Sequence, residues 1–229
     1  MTSVTDLPQI MTAKGWTRGA TLMRRWFAAN AAVSPSYGPS DSTTIDINWV
    51  LACARAKVVY EMMVKDEIWS RPVSRQLLGA RLQELKMINM SFDFSKSSPE
   101  FQQSNHINFR TIKSGYLSKL DDYVASLGNF SIYVVPISGS IQAIGSQKTI
   151  ILRDVGFLVM DSYDFEGNQD LGCWDKNTNN VSQLYFRGGT KISNLDFRQW
   201  RLKNKKGGDF KLYSNTKAHN LKRPLKFTL

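Results

Sequence analysis

Cysteine and histidine are nearly missing, with two of each in 229 residues. Cys53 and Cys173 have no CxxC spacing, so neither a disulfide framework nor a thiolate metal site is expected. Both read as ordinary small side chains. His106 and His219 lack a second histidine at ligand spacing and read as surface residues. No apolar run approaches the ~20 residues needed to span a bilayer, and the longest, such as Val155–Met160, are strand-sized. The start, Met1 to Pro8, has neither a basic n-region nor an apolar h-region, so no signal peptide is expected. No Gly-rich P-loop and no G-x-S-x-G elbow occurs, which counts against nucleotide hydrolysis and serine-hydrolase chemistry.

Charge of one sign is in short supply too. Nineteen acids face thirty Lys and Arg, a net charge of +11. From Arg198 to Leu229 there are ten basic residues and one acid, Asp209, so +9 of that charge lies in the tail. Such a field favours polyanions: nucleic acid, an anionic membrane surface or a phosphate-bearing substrate. The plainer alternative is a solvated basic end that aids solubility. Hydrophobic residues make up 42% and charged residues 21% of the chain, which sets disorder and coiled coil aside.

The first half reads helical. Asp6 precedes Pro8 at a helix start, and the apolar pattern runs on to Trp26-Phe27 past Gly15. Asn48 to about Lys65 has helical spacing, and a third helix follows Pro72 with Leu77, Leu78, Leu82 and Leu85 on one stripe. Ser95 to His106 reads as polar and irregular. Ser118-Lys-Leu-Asp121 has capping-box form, and Gly128 stands where a helix stops. Beyond it the period changes. Phe130–Ile137, Ser140–Ile144 and Thr149–Tyr163 read as strands, with Gly145–Lys148 as a hairpin turn and Asp209–Tyr213 as a further strand. The expected class is α+β: a mainly helical region 1–128, then an antiparallel, half-barrel-like β region 129–229, the two free to share one core.

The densest polar cluster is Asp161-Ser-Tyr163-Asp164-Phe-Glu166-Gly-Asn168-Gln-Asp170, with four carboxylates in ten residues at the end of an apolar strand. Residues i and i+2 of a strand share a face, so Asp161 and Tyr163 point the same way, and Asp164 joins them only if the chain bends. Converging carboxylates can hold a hard divalent cation or activate water. The plainer alternative is an acidic turn that caps its own backbone. An EF-hand starting at Asp164 fails, because Gln169 stands where that loop requires glycine.

The spacing Asp161-x-Tyr163-Asp164-x5-Asp170 resembles the D-x-Y-D-x5-(H/D)-R signature of the colicin M family of bacteriocins. That resemblance extends loosely over the strands from Phe130 to Gly207–Tyr213. It implies a half-barrel-like β domain and a Mg²⁺-dependent phosphodiesterase that cuts the lipid-linked peptidoglycan precursor, lipid II, in the periplasm of a target bacterium. On that basis Asp164 is the principal metal ligand or water-orienting base and Asp161 its carboxylate partner. Tyr163 shapes the site, and Asp170 takes the acid/base position. The signature ends in arginine where this chain has Leu171, so another cation must face the pyrophosphate, with Arg187, Arg198 and Arg201 as candidates. Gly15-Trp16 and Arg24-Arg25-Trp26-Phe27 resemble a family of uncharacterised bacterial proteins. That second resemblance implies a toxin carried by an interbacterial secretion machine such as type VI, made in the cytoplasm and paired with an immunity protein. Two other readings stay open: an interaction protein with a structural acidic turn, and a nucleic-acid binder or nuclease that uses the Arg198–Lys206 segment, in which Trp200 sits among cations.

Overall fold

The computed structural model describes residues 1–32, 34, 39–113, 120–145 and 147–228. In chain order the elements are α1 (Leu7–Ala13), α2 (Thr17–Ala28), β1 (Asp41–Ile45), α3 (Ile47–Ala52), α4 (Ala54–Lys65), α5 (Pro72–Glu84), β2 (Met90–Asp93), α6 (Pro99–Ser104) and β3 (Asn108–Ile112). They continue with α7 (Asp122–Ser126), β4 (Phe130–Ile144), β5 (Gln147–Tyr163), β6 (Asp170–Asp175), β7 (Asn180–Ser182), β8 (Thr190–Ser193), α8 (Asn194–Asn204), β9 (Phe210–Ser214) and β10 (Lys217–Thr228). The class is α+β, with a curled, half-barrel-like sheet. No described helix is long and apolar enough to cross a membrane.

The chain forms two compact units, and each draws residues from both sides of Gly128: 1–44, 113–130 and 161–212 in one, 45–112, 131–160 and 213–229 in the other. The second unit is organised by β4 and β5, paired antiparallel from Ser131↔Met160 to Ile144↔Gln147. β10 lies on the far side of β5, and both β2 and β3 pair with β4. Val155 to Val159 are all buried, the signature of a strand covered on both faces. Pro136 cannot donate to the ladder, and the register slips between Pro136 and Ser138. Within the same unit Tyr60 and Trp69 set their ring edges against Phe157, and Leu78 and Leu82 of α5 are fully enclosed.

The first unit packs α1, α2, α7 and α8 with the small antiparallel sheet β7-β6-β8. α2 begins after Trp16, a residue with no oxygen to cap it. Asp122, in the first turn of α7, supplies the missing acceptor and takes the Gly19 N–H at 2.8 Å and the Arg18 N–H at 3.3 Å. Gly19 permits this approach, because a Cβ there would meet Ala125 Cβ at 2.8 Å.

Several local expectations need correction. The helix expected over Asn48–Lys65 is two, because Cys53 is extended (φ −72°, ψ 122°) and starts α4 afresh. Ser95–His106 is not irregular: Ser98 caps α6, its Oγ accepting from Phe101 N at 3.2 Å, with Pro99 in the first turn. The first half also contributes β1, β2 and β3, short strands whose polar, half-exposed residues give little hydrophobic signal. Ser118 and Ser146 lie outside the described residues. Asp121 caps α7 by accepting from Val124 N at 2.8 Å, and Gly128 follows at φ +56°.

Gly139 tests the packing of the β4 register. It sits beside the register slip, and a Cβ there would meet the Phe92 ring at 2.6 Å and the Ile151 carbonyl more closely still. Gly139→Ala is therefore expected to destabilise the fold by about 1–3 kcal/mol through overpacking, read as a lowered denaturation midpoint with an unchanged slope.

Candidate functional site

The described β4–β5 ladder ends at Ser131↔Met160, and the acidic motif begins at the next residue. β5 continues through Tyr163; the chain then leaves the strand and turns at Gly167 (φ +70°). Asp161, Tyr163, Asp164 and Asp170 all line one cavity of about 310 Å³ in the first unit. The bend brings Asp164 onto the cavity that Asp161 already borders. Trp16 and Trp174 stand in its wall with centroids 6.0 Å apart, edge to face.

Each carboxyl has its own surroundings. Burial pushes the Asp161 carboxyl well above the usual carboxylate range; the Ser162 N–H opposes this and the nearby Asp164 charge adds to it. Asp164 is half-buried. Burial raises it as well, the Glu166 N–H donated to its Oδ1 at 3.2 Å lowers it, the Glu166 charge raises it, and the Arg201 field lowers it. Burial, with Asp122 nearby, also raises the Tyr163 phenol, and its hydroxyl has no hydrogen-bond partner among the described residues. The Tyr163 ring stacks on Phe210 at 5.3 Å. Asp170 is exposed and lies on β6, opposite Ser193.

Asn194 is a lining residue that the sequence reading missed. Its Nδ2 donates to the Glu166 carbonyl at 2.5 Å, and its Oδ1 is buried without a partner among the described residues. It opens α8, whose start was legible as the capping box Ser193-x-x-Asp196: Asp196 Oδ2 accepts from Ser193 N at 2.7 Å. Most of the basic Arg198–Lys206 segment belongs to this helix, which ends at Asn204.

The three arginines expected to face a phosphate do not line the cavity. Arg187 is exposed on the turn before β8. Arg198 Nη1 donates to the Phe165 carbonyl at 2.8 Å and the Gly167 carbonyl at 2.6 Å, so it braces the turn after the motif. Arg201 is 5% exposed and ion-paired with Asp209, which is 1% exposed and also accepts from Trp26 Nε1 at 2.8 Å. Of the three, Arg201 acts on Asp164, through its field rather than by contact. Trp200, offered by the sequence as a base-stacking platform, packs against Phe27 at 4.7 Å and Trp26 at 5.9 Å. Among the described residues no three His, Cys, Asp or Glu side chains group as a metal site.

The raised Asp161 makes a signed prediction. Its folded form keeps a proton that the unfolded chain releases within the usual carboxylate range, so its contribution to stability is full in acid. That contribution falls as pH rises through the folded pKa. Asp161→Asn removes the slope. As pH rises above the usual carboxylate range the variant should gain on the wild type, by about 1.4 kcal/mol, or about 3 °C in Tm, for each pH unit over which the folded wild type holds a proton that its unfolded chain has lost. Parallel Tm–pH curves for the two proteins would show that Asp161 ionises normally.

No curated protein and no solved structure matches the chain. Residues 2–185 and 178–229, together nearly its whole length, match a family of unknown function, DUF6402, and the chain belongs to that family.

Proposed function

We propose that this protein hydrolyses a phosphate ester of a lipid-linked peptidoglycan precursor and acts as an antibacterial toxin, resembling the colicin M family. One observation carries the reading: Asp161, Tyr163, Asp164 and Asp170, far from equivalent in burial, border a single cavity. Two carboxyls whose environments separate their acidities are the arrangement that general acid–base chemistry requires. Asp164 hydrogen-bonds the attacking water and takes its proton as the water oxygen bonds to phosphorus. The ester P–O bond breaks, and the departing oxygen takes the proton that burial holds on Asp161. Asp170, at the exposed rim, returns the proton balance to solvent. Tyr163 donates its unpartnered hydroxyl to a phosphoryl oxygen.

The resemblance also implies Mg²⁺. The donor set suits an ion that takes one or two carboxylates together with substrate oxygens and water, rather than an all-protein cage. Asp164 would hold it, with Asp161 as second ligand once ionised, and the ion would supply positive charge to the pyrophosphate group under attack. That role matters because, among the described residues, no Lys, Arg or His lines the cavity. The reading places the activity in the periplasm of a target cell, with a secretion-system carrier to deliver the protein and an immunity protein to protect the producer. The net charge of +11 favours the anionic membrane surface where such a precursor resides.

The test is direct. Purified protein incubated with lipid II and Mg²⁺ should release a water-soluble phosphorylated head group, and Asp164→Asn should slow release by about 10²–10⁴-fold while leaving the melting curve unchanged. Directed to the periplasm, the wild type should lyse cells that tolerate it in the cytoplasm. Intact lipid II after prolonged incubation, or an Asp164→Asn protein of wild-type potency, would refute the reading.

A further inference from the structure

α8 spends one face on the core and leaves the other unspent. Asn194, Phe197 and Arg201 are buried. Phe197 stacks on Phe165 at 3.7 Å, nearly parallel, and also meets Trp26 at 5.4 Å, so the helix is fixed in orientation. The outer stripe at i, i+4 and i+7 is Leu195, Gln199 and Leu202, all exposed. Leu195 is 50% and Leu202 72% exposed, the latter more open than any other leucine among the described residues. Lys203 and Lys205 stand beside this stripe at the end of the helix, both exposed, and Lys206 Nζ donates to Asn30 at 3.1 Å. A helix that needed only solubility there would gain nothing from two leucines one heptad apart.

We infer that the outer face of α8 is a docking surface for an anionic lipid bilayer: Leu195 and Leu202 enter the interface, and Lys203, Lys205 and Lys206 meet the head groups. Charge complementarity selects this occupant. The lysines at the helix end belong to the segment that carries +9 of the net +11, and exposed leucines beside a basic cluster match the two terms that hold a helix in a membrane interface: apolar area and attraction to anionic lipid. Nucleic acid shares the charge term but has no use for the leucines, and Trp200, which could stack on bases, is turned inward. A protein partner would be selected by neither term in particular. The surface does not depend on the hydrolase reading.

The experiment is co-sedimentation of the full chain with vesicles of phosphatidylcholine alone and of phosphatidylcholine with 30% phosphatidylglycerol, a composition of about that proportion being enough to give a negative surface potential. The wild type should bind the anionic vesicles, and binding should fall steeply between 50 and 300 mM salt, a range over which the screening length shrinks from about 14 to about 6 Å. Leu195→Ser/Leu202→Ser should lose about tenfold in vesicle affinity at fixed charge, because two apolar side chains no longer leave water. Lys203→Glu/Lys205→Glu should abolish binding. Both pairs lie on the solvent side, so melting curves should stay within a degree or two of wild type. Equal binding to neutral and anionic vesicles, no binding to either, or a leucine variant that binds as well as wild type would overturn the proposal. A leucine variant with unaltered binding to a DNA duplex and to vesicles alike would mark a purely electrostatic, nucleic-acid-type surface. Loss of docking with intact lipid II hydrolysis in detergent would separate this surface from the cavity chemistry.

Discussion

The first unit is organised around one buried polar contact, the indole of Trp26 donating to a carboxylate that also receives a guanidinium. Asp209 accepts from Trp26 Nε1 and from Arg201, and the Arg201 guanidinium lies 5.1 Å from the Trp26 ring centre. Breaking a buried pair leaves an uncompensated charge and typically costs about 3–5 kcal/mol, so the three side chains stand or fall together. Through them α2, α8 and the start of β9 are fixed relative to one another. Gly208 N donates to the Trp26 carbonyl at 3.1 Å, and Gly207 N to the Ala29 carbonyl at 2.9 Å, which brings the backbone onto the same tryptophan. Among the described residues the contact is not fully satisfied: Arg201 Nε and Asp209 Oδ2 have no partner there.

That cluster reaches the candidate site through Phe165. The residue after Asp164 points its ring between Trp26 and Phe197, at 4.9 and 3.7 Å, so the chain just past the motif is anchored in the aromatic core. Arg198 then holds the carbonyls on either side of Glu166. A loop that would otherwise be a free acidic turn is clamped at each end, and Asp164 is held against the cavity rather than left in solvent. The same economy explains why Arg198 and Arg201 are not available to a phosphate. Both are committed to holding the site together, and among the described residues the cavity has acids in its wall and no cations.

Electrostatically the molecule is divided. A chain of strongly basic net charge gathers four acidic side chains around one cavity, where burial suppresses the ionisation of Asp161, while the lysines at the end of α8 remain in solvent. Buried acids lose charge because desolvation disfavours the ion; exposed lysines keep theirs and project it. Any anionic ligand is therefore drawn to the surface and resisted by the cavity unless a proton or cation is supplied there.

How much of this the sequence determined follows from the range of the forces involved. The α+β class, the strands β4 and β5, the starts of α1 and α5 and the Gly128 stop depend on neighbours within a few residues, through apolar period, caps and backbone permissiveness, and all are legible in the chain. The clustering of Asp161, Tyr163, Asp164 and Asp170 is half legible: alternation puts Asp161 and Tyr163 on one face, but the bend that adds Asp164 needs Phe165 to find Trp26, about 140 residues earlier. α8 carries a local cap at Ser193 and is obscured by its basic residues, which read as part of a solvated basic end because the buried stripe is only Asn194, Phe197 and Arg201. β1, β2 and β3 gave little hydrophobic alternation, and their place comes from pairing with distant partners. The roles of Arg198 and Arg201 were decided by tertiary structure alone. A guanidinium looks the same in sequence whether it faces a substrate or a buried carboxylate, and only the fold brings Asp209, Trp26 and the Phe165 carbonyl within its reach.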